Sequence, residues 1–314
     1  MNPSGRFSEI AGRVRNWGRW GSDDQLGTLN FVDDAKRRRA AECIRVGRAI
    51  SLGFALSEQL GIQIGIIPGR MNPLRTMTHL NTPLSDDPDW ICSSEDVVVM
   101  GTQAATHWDA LSHVSYGGQI YNGHPASSIT AAGASRCGIH LVRTLVSKGV
   151  LLDVARAKGV EVLEPGYPIQ PEDLDAACEM GRVSVEPGDI VLVRTGQMIH
   201  LGVNGKGRRN PMKYASPSPG LTMTTAVWFH DRDVAAVATD TLALEVFPGE
   251  EEGTFLPVHL LHLVEMGMTQ GQNWVLDELA EDCADDGVYE FFLDASPLPF
   301  VDGTGSPLNP VALK

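Results

Sequence analysis

Basic residues are scarce in this chain of 314 residues: 25 Lys and Arg stand against 39 Asp and Glu, for a formal net charge of −14. Phosphate backbones are bound chiefly through clustered Lys and Arg, so this balance excludes nucleic acid as a partner. The one basic run, KRRR at 36–39, lies within DDAKRRRAAECIRVG and reads as the solvated face of an amphipathic helix. Cysteine is sparse too. Cys43, Cys92, Cys137, Cys178 and Cys283 are odd in number and lack CxxC spacing, which excludes a disulfide framework or zinc knuckle and suits a reducing compartment. No apolar run approaches the roughly 18 residues of a membrane span. The opening MNPSGRFSEIAGRVRNWGRW lacks the apolar core of a secretory signal. A cytoplasmic protein with no membrane partner is expected. GxSxG is missing, so a serine nucleophile has no support. GIQIGIIPG is glycine-rich but lacks both GxGxxG spacing and the Lys-Ser/Thr of a phosphate loop, which argues against nucleotide binding.

What is present reads as one α/β domain. Residues 1–32, rich in Gly, Trp and Asp, are too irregular for a core element and suggest an arm, with the domain proper at 33–314. Asp33 or Asp34 can cap a helix that Gly47 ends. RAISLGFALS reads as a strand, 60–95 as loop and hairpin, and EDVVVMGT as a buried strand. GVLLDVA and GDIVLVRTG are short apolar runs bounded by glycine, as core strands often are. QPEDLDAACEMG has a helical pattern with Pro171 near its start. AVWFHDRDVAAVATDTLALEV gives a helix and then a strand ending near Asp240. PVHLLHLVEMG gives an amphipathic helix stopped by Gly267, and LDELAEDCADDG a last helix. No repeat or linker divides the chain.

Chemistry concentrates in GTQAATHWDALSHVSYGGQIYNG, residues 101–123. Gln103, His107, Asp109 and His113 are all odd-numbered, so an extended chain points them to one face. A helix would set His107 and Asp109 about 200° apart and break the group. A straight strand from 107 to 113 would span roughly 20 Å, so His113 joins the others only if the chain bends near Leu111 and Ser112. Imidazole and carboxylate together suit Zn²⁺, Mn²⁺ or Fe²⁺, and an amide oxygen beside a carboxylate shifts the balance toward Mn²⁺. The bland alternative is a strand with polar residues on its solvent face.

The stretch resembles the signature His-x-Gly-Thr-His-x-Asp-x-Pro-x-His of the putative cyclase family, which includes bacterial kynurenine formamidases and isatin hydrolases. Thr106, His107, Asp109 and His113 match, while Gln103 replaces a histidine, Ala105 a glycine and Leu111 a proline. The resemblance continues through YNG, GVLLDVARAKG, PGDIVLVRTG and ATDTLALEV to HLLHLVEMGMTQGQNWVLDELAEDCA, and so covers most of the chain from about residue 17. It implies a swivelling β/β/α-type fold with a central barrel-like sheet and flanking helices. It also implies metal-dependent hydrolysis of an amide or cyclic amide. Carried over, His107 and Asp109 are metal ligands, Gln272 falls at the C-terminal ligand position, and His113 is the general acid/base. Family members with two metals use a histidine and a glutamate where this chain has Gln103 and Gln272. Two neutral amides leave a second dication without charge compensation. One divalent ion, Mn²⁺ or Zn²⁺, is therefore expected.

His259 and His262 stand at i and i+3 of one predicted helix. His259 fits the family's spacing for a substrate- or ligand-orienting histidine. Gln103, Trp108, Tyr121, Trp20 and Trp90 complete the candidate substrate wall, with Trp17 beside them, while His79, His124, His140, His200, His230 and Asp240 are read as structural. The favoured function is a metal-dependent hydrolase of an aryl formamide, isatin-type lactam or lactone, working as a homo-oligomer, dimer or tetramer, on a small-molecule substrate. The alternatives are a lyase or cyclase using the same metal site, and a metal-binding protein without hydrolytic activity.

Overall fold

The computed structural model describes residues 4–251 and 255–314. Nine strands form one large curled sheet with helices on both faces, a single mixed α/β domain as the sequence implies. Across the sheet the order is Ala49–Ser51, Val311–Leu313, Glu290–Asp294, Val146–Asp153, Ile190–Arg194, Ala236–Thr239, Thr269–Gln272, His107–Asp109 and Gly305–Pro307. The four strands from Val146–Asp153 to Thr269–Gln272 run parallel, and antiparallel pairs flank them on both sides.

A parallel strand covered on both faces reads as an unbroken apolar run, and Ile190–Val193 shows why. Val191 and Val193 pack into one core with Val150, Leu152 and Val237. Ile190 and Leu192 pack into the other with Leu151, Ala236 and Ala238. The first core is capped by helices Gly5–Val14, Pro171–Gly181 and Met223–His230. The second is capped by Asp277–Asp286, which Gly287 closes.

Several expectations are corrected here. Residues 5–14 are not irregular: Ser4 caps a helix that buries Phe7, Ile10, Ala11 and Val14 in the first core. The segment after it packs on its own chain, where Trp17 Nε1 donates to Val264 O at 2.7 Å. Asp33 does cap the next helix, but that helix ends at Ala41 rather than Gly47. Past it, the backbone N–H groups of Val46, Gly47 and Arg48 all turn onto Lys314 O. Within KRRR, Lys36 leaves the solvated face: it is 1% exposed and pairs with Asp189 at the foot of a central strand. A carboxylate buried that deeply requires a cation beside it. RAISLGFALS contributes only Ala49–Ser51 to the sheet.

The largest correction concerns EDVVVMGT. It lies not in the core but in a hairpin, Leu74–Pro83 paired with Cys92–Val99, in which Val97, Val98 and Val99 are exposed. Its apolar content is that of a covered strand, and nothing among the described residues covers it.

Candidate metal centre

The strand His107–Asp109 lies between Thr269–Gln272 and Gly305–Pro307, antiparallel to both. Its register sets Gln272 opposite His107 and Gln270 opposite Asp109. Directly opposed residues share a face, so two amides meet an imidazole and a carboxylate there. Trp108 points the other way, into the second core, edge-on to Trp274. Gly271 stands opposite Trp108, and a Cβ there would lie 2.6 Å from Trp274 Nε1 and 2.8 Å from the Trp108 ring. The two indoles leave room only for glycine.

Three atoms define the centre. His107 Nδ1 lies 2.7 Å from Ala105 O, which fixes the ring hydrogen on Nδ1 and leaves Nε2 a bare lone pair. Gln272 Nε2 donates to Asp109 Oδ2 at 2.9 Å, leaving Gln272 Oε1 free. His107 Nε2, Asp109 Oδ1 and Gln272 Oε1 are all buried without a hydrogen-bond partner, and His107 Nε2 and Asp109 Oδ1 are 3.5 Å apart. Buried acceptors without donors are costly, and a cation is the group that satisfies several of them at once. Nitrogen, carboxylate oxygen and amide oxygen form a donor set that fits Mn²⁺ or Zn²⁺. Among the described residues, no group of three or more His, Cys, Asp and Glu side chains is placed to hold a metal, and the third atom of this set is an amide oxygen.

His113 reaches the site because the strand ends at Asp109 and the chain turns, with His113 N donating to Ala110 O at 2.9 Å. The turn brings His113 Nε2 to 3.6 Å from Asp109 Oδ1. Gln103, in a turn rather than a strand, places Nε2 3.3 Å from His113 Nδ1, while its Oε1 accepts from Thr102 Oγ1 at 2.7 Å. The contact at Nδ1 turns Nε2 to the side of the site. The His113 side chain is 22% exposed against 1% for Asp109, so His113 links the buried centre to solvent. Burial lowers the His113 pKa from its usual value, against the pull of Asp109. Burial alone would raise the Asp109 carboxyl, but His113, His107 and His259 together draw it well below the usual carboxylate range.

Behind the strand, the helical segment from Pro257 carries both remaining histidines toward the two glutamines. From Leu260 to Met266 it is a π-helix, buried almost throughout, where an amphipathic α-helix was expected. Gly267 stops it, as expected. His259 Nε2 lies 3.4 Å from Gln272 Nε2, and His262 Nδ1 lies 3.1 Å from Gln270 Oε1. The pairing of HLLH with QGQ thus shares one face in register. Glu245 accepts from the backbone N–H groups of Val258 and His259 at 3.0 Å each and pairs with His259 Nδ1. A carboxylate at one ring nitrogen leaves the other as acceptor, which orients the Gln272 amide. Glu245 and Gln270 escape sequence reasoning because their only link to the site is tertiary. Asp240 is structural, accepting from Thr195 N, Thr195 Oγ1 and Gly196 N to tie two strand ends together.

The aromatic wall is not assembled as expected. Trp108 is fully buried, with its Nε1 donating to Ala295 O. Tyr121 is buried against the Gly267 turn, and its hydroxyl donates to Asp24. Neither has a face left for a substrate. Trp20 packs edge-on against Phe31 with Arg19 over its ring, and Trp17 sits among Leu111, Tyr121 and Leu263. Trp90, 77% exposed, stands on the hairpin. The structure brings together Gln103, His107, Asp109, His113, His259 and Gln272.

The curled sheet is a fold that known proteins share. The chain belongs to the putative cyclase family, whose model matches residues 56–246. Among solved structures, one described as a novel cyclase is 37% identical, with 97% of this chain and 99% of that one covered at a TM-score of 0.87. Isatin hydrolase A from Ralstonia solanacearum shares the fold at 18% identity, with 84% and 91% covered and a TM-score of 0.58. Isatin hydrolase A from Labrenzia aggregata, bound to benzyl benzoate, does so at 19% identity, with 87% and 94% covered and a TM-score of 0.59. No curated protein matches the chain. Among the described residues, no helix is long and apolar enough to cross a membrane.

Proposed function

We propose that the chain is a metal-dependent hydrolase that opens an amide or cyclic amide, such as an aryl formamide or an isatin-type lactam, or a related lactone. The observation that carries this reading is the convergence of buried, partnerless acceptors on His107, Asp109 and Gln272. These residues would hold one divalent ion, Mn²⁺ or Zn²⁺. When bound, that ion supplies a Lewis acid for the scissile carbonyl and lowers the pKa of a water toward neutrality.

The chain's own residues do the rest. His113 faces the centre with Nε2 and reaches solvent, so the neutral ring can take a proton from water and the protonated ring can then deliver it to a leaving nitrogen. Gln103 keeps that ring in place through Nδ1. Glu245 holds His259, and His259 in turn fixes the amide of Gln272 with its oxygen free. Gln103, against His113, and His259, against Gln272, are the residues we assign to substrate contact. Gln103 and Gln272 bring no charge, which supports one ion per chain rather than two.

We also read the protein as a homo-oligomer, a dimer or tetramer. The hairpin exposes Leu80, Leu84, Trp90, Ile91 and Val97–Val99, and a two-stranded ribbon is marginal alone. A second copy is the fitting occupant, because an identical ribbon can pair with its free edge about a two-fold axis. The deciding experiment for the hydrolase reading is elemental analysis of protein purified without added metal, alongside turnover of a formamide and lactam panel. One tightly bound divalent ion per chain with turnover supports it. Metal-free protein, or two ions at full occupancy, sinks it.

A further inference from the structure

Arg70 lies on a loop closed by two reciprocal bonds: Gln63 N donates to Asn72 Oδ1 at 2.8 Å, and Asn72 Nδ2 to Gln63 O at 2.7 Å. The loop is pinned to the segment leading into the metal strand. Gln63 Nε2 donates to Ala104 O at 2.9 Å, and Gly101 N to Met71 O at 3.2 Å. A Cβ on Gly101 would lie 3.6 Å from Arg70 Cγ, two residues before Gln103. Arg70 is half-buried. Burial lowers its pKa, while the Asp109 carboxylate acts against that, and Arg70 in turn acts on His113. The loop bonds and the approach to Gly101 hold the Arg70 side chain against the segment that leads into the centre. Among the described residues, no ion pair or hydrogen bond engages its side chain, whereas Arg15, Arg48 and Arg194 each hold a carboxylate.

A half-buried guanidinium beside a buried centre, without an acceptor of its own, suits an anion. Asp109 does not fill that need: its Oδ2 already accepts from Gln272, and its Oδ1 faces the two imidazoles. We propose that Arg70 is a substrate-binding residue that reads a carboxylate carried by the substrate beside its scissile carbonyl. This rests on the hydrolase reading and narrows it to anionic amides or lactams. The fork of the guanidinium suits a carboxylate held by two parallel bonds, which fixes orientation as well as charge.

The test compares benzoate with benzamide, one ring with and without the charge, by calorimetric titration into metal-loaded wild type, Arg70→Gln and Arg70→Lys. The wild type should prefer benzoate by about 10- to 100-fold, the range expected of a charge-assisted pair. Arg70→Gln should bring the ratio to within about twofold while its metal content stays at the wild-type level, and Arg70→Lys should restore part of it. Because any direct bond from benzoate to the metal persists in Arg70→Gln, the change in ratio isolates the guanidinium. An unchanged ratio, a wild type indifferent to charge, or a loss of metal in Arg70→Gln overturns the proposal. The hydrolase reading falls separately, on metal content and turnover of the wild type.

Discussion

Gln272 Nε2 lies 2.9 Å from Asp109 Oδ2, an amide bonded to a carboxylate in a buried site. That bond lets Asp109 stay ionised without a second cation. Gln272→Glu would bring two carboxylates to the same separation, and in the absence of metal they repel. We expect the metal-free variant to be less stable than wild type by roughly 1–3 kcal/mol, the scale of a lost buried hydrogen bond. A saturating divalent ion should shrink the difference, because it neutralises both groups. Thermal melts with and without chelator measure this. A deficit unchanged by metal would show that Gln272 is not at the ion.

Ligand and proton carrier can be told apart at His107, Asp109 and His113. His107→Ala and Asp109→Ala should each lose metal along with activity. His113→Ala should keep most of its metal while the rate falls about 10²- to 10⁴-fold, the usual contribution of an acid/base. Burial favours the neutral His113 imidazole, so in the wild type the rate should fall as acid protonates it, below its ordinary value near 6.5. His113→Ala should lack that acidic limb. Metal content and pH–rate profiles on the same preparations decide it, and a metal-free His113→Ala would make His113 a ligand.

The centre is legible in the sequence because a strand has a period of two: His107 and Asp109 flank Trp108, and the two faces separate cleanly into site and core. The bend near Leu111 and Ser112 is the condition that distance sets for His113 to join the others. The glycine-bounded core strands are legible for a similar reason, since burial on both faces leaves an unbroken apolar run. The same rule misplaces EDVVVMGT, because it cannot tell a strand buried in its own core from one left for another chain to cover. Glu245, Gln270 and Arg70 carry no spacing signal. They meet the site through a π-helix, a neighbouring strand and a pinned loop, and only the tertiary fold brings these together. Trp108 and Tyr121 mislead because aromatic residues near a motif serve packing as readily as a pocket.

The hairpin should matter for assembly rather than folding of the monomer. Leu80 is exposed near its tip, so Leu80→Asp adds a charge where the isolated chain has room for one. Sedimentation should show a shift toward monomer with the melting of the core strands largely unchanged. A wild type that is monomeric at all concentrations, or a variant that assembles normally, would refute the oligomer reading.

His262 makes the stability of the fold sensitive to acid. It is wholly buried, edge-on to Phe229, with Nδ1 on Gln270 Oε1 and Nε2 without a partner. Burial, with His259 nearby, pushes its pKa down to about 3. An unfolded chain takes up the proton at about 6.5, the ordinary histidine value. Between those limits the unfolded state binds more protons than the folded one, so stability increases with pH across that window. The His262 contribution is complete above the unfolded value and is lost progressively as pH falls through 6 toward 3. His262→Asn keeps a donor near the Nδ1 position and does not titrate. It should be less stable at pH 7, because a ring's volume is missing, yet lose less stability between pH 6.5 and 4 than wild type does. Denaturant titrations across that range give the two slopes. Parallel slopes would mean that another buried group sets the acid limit.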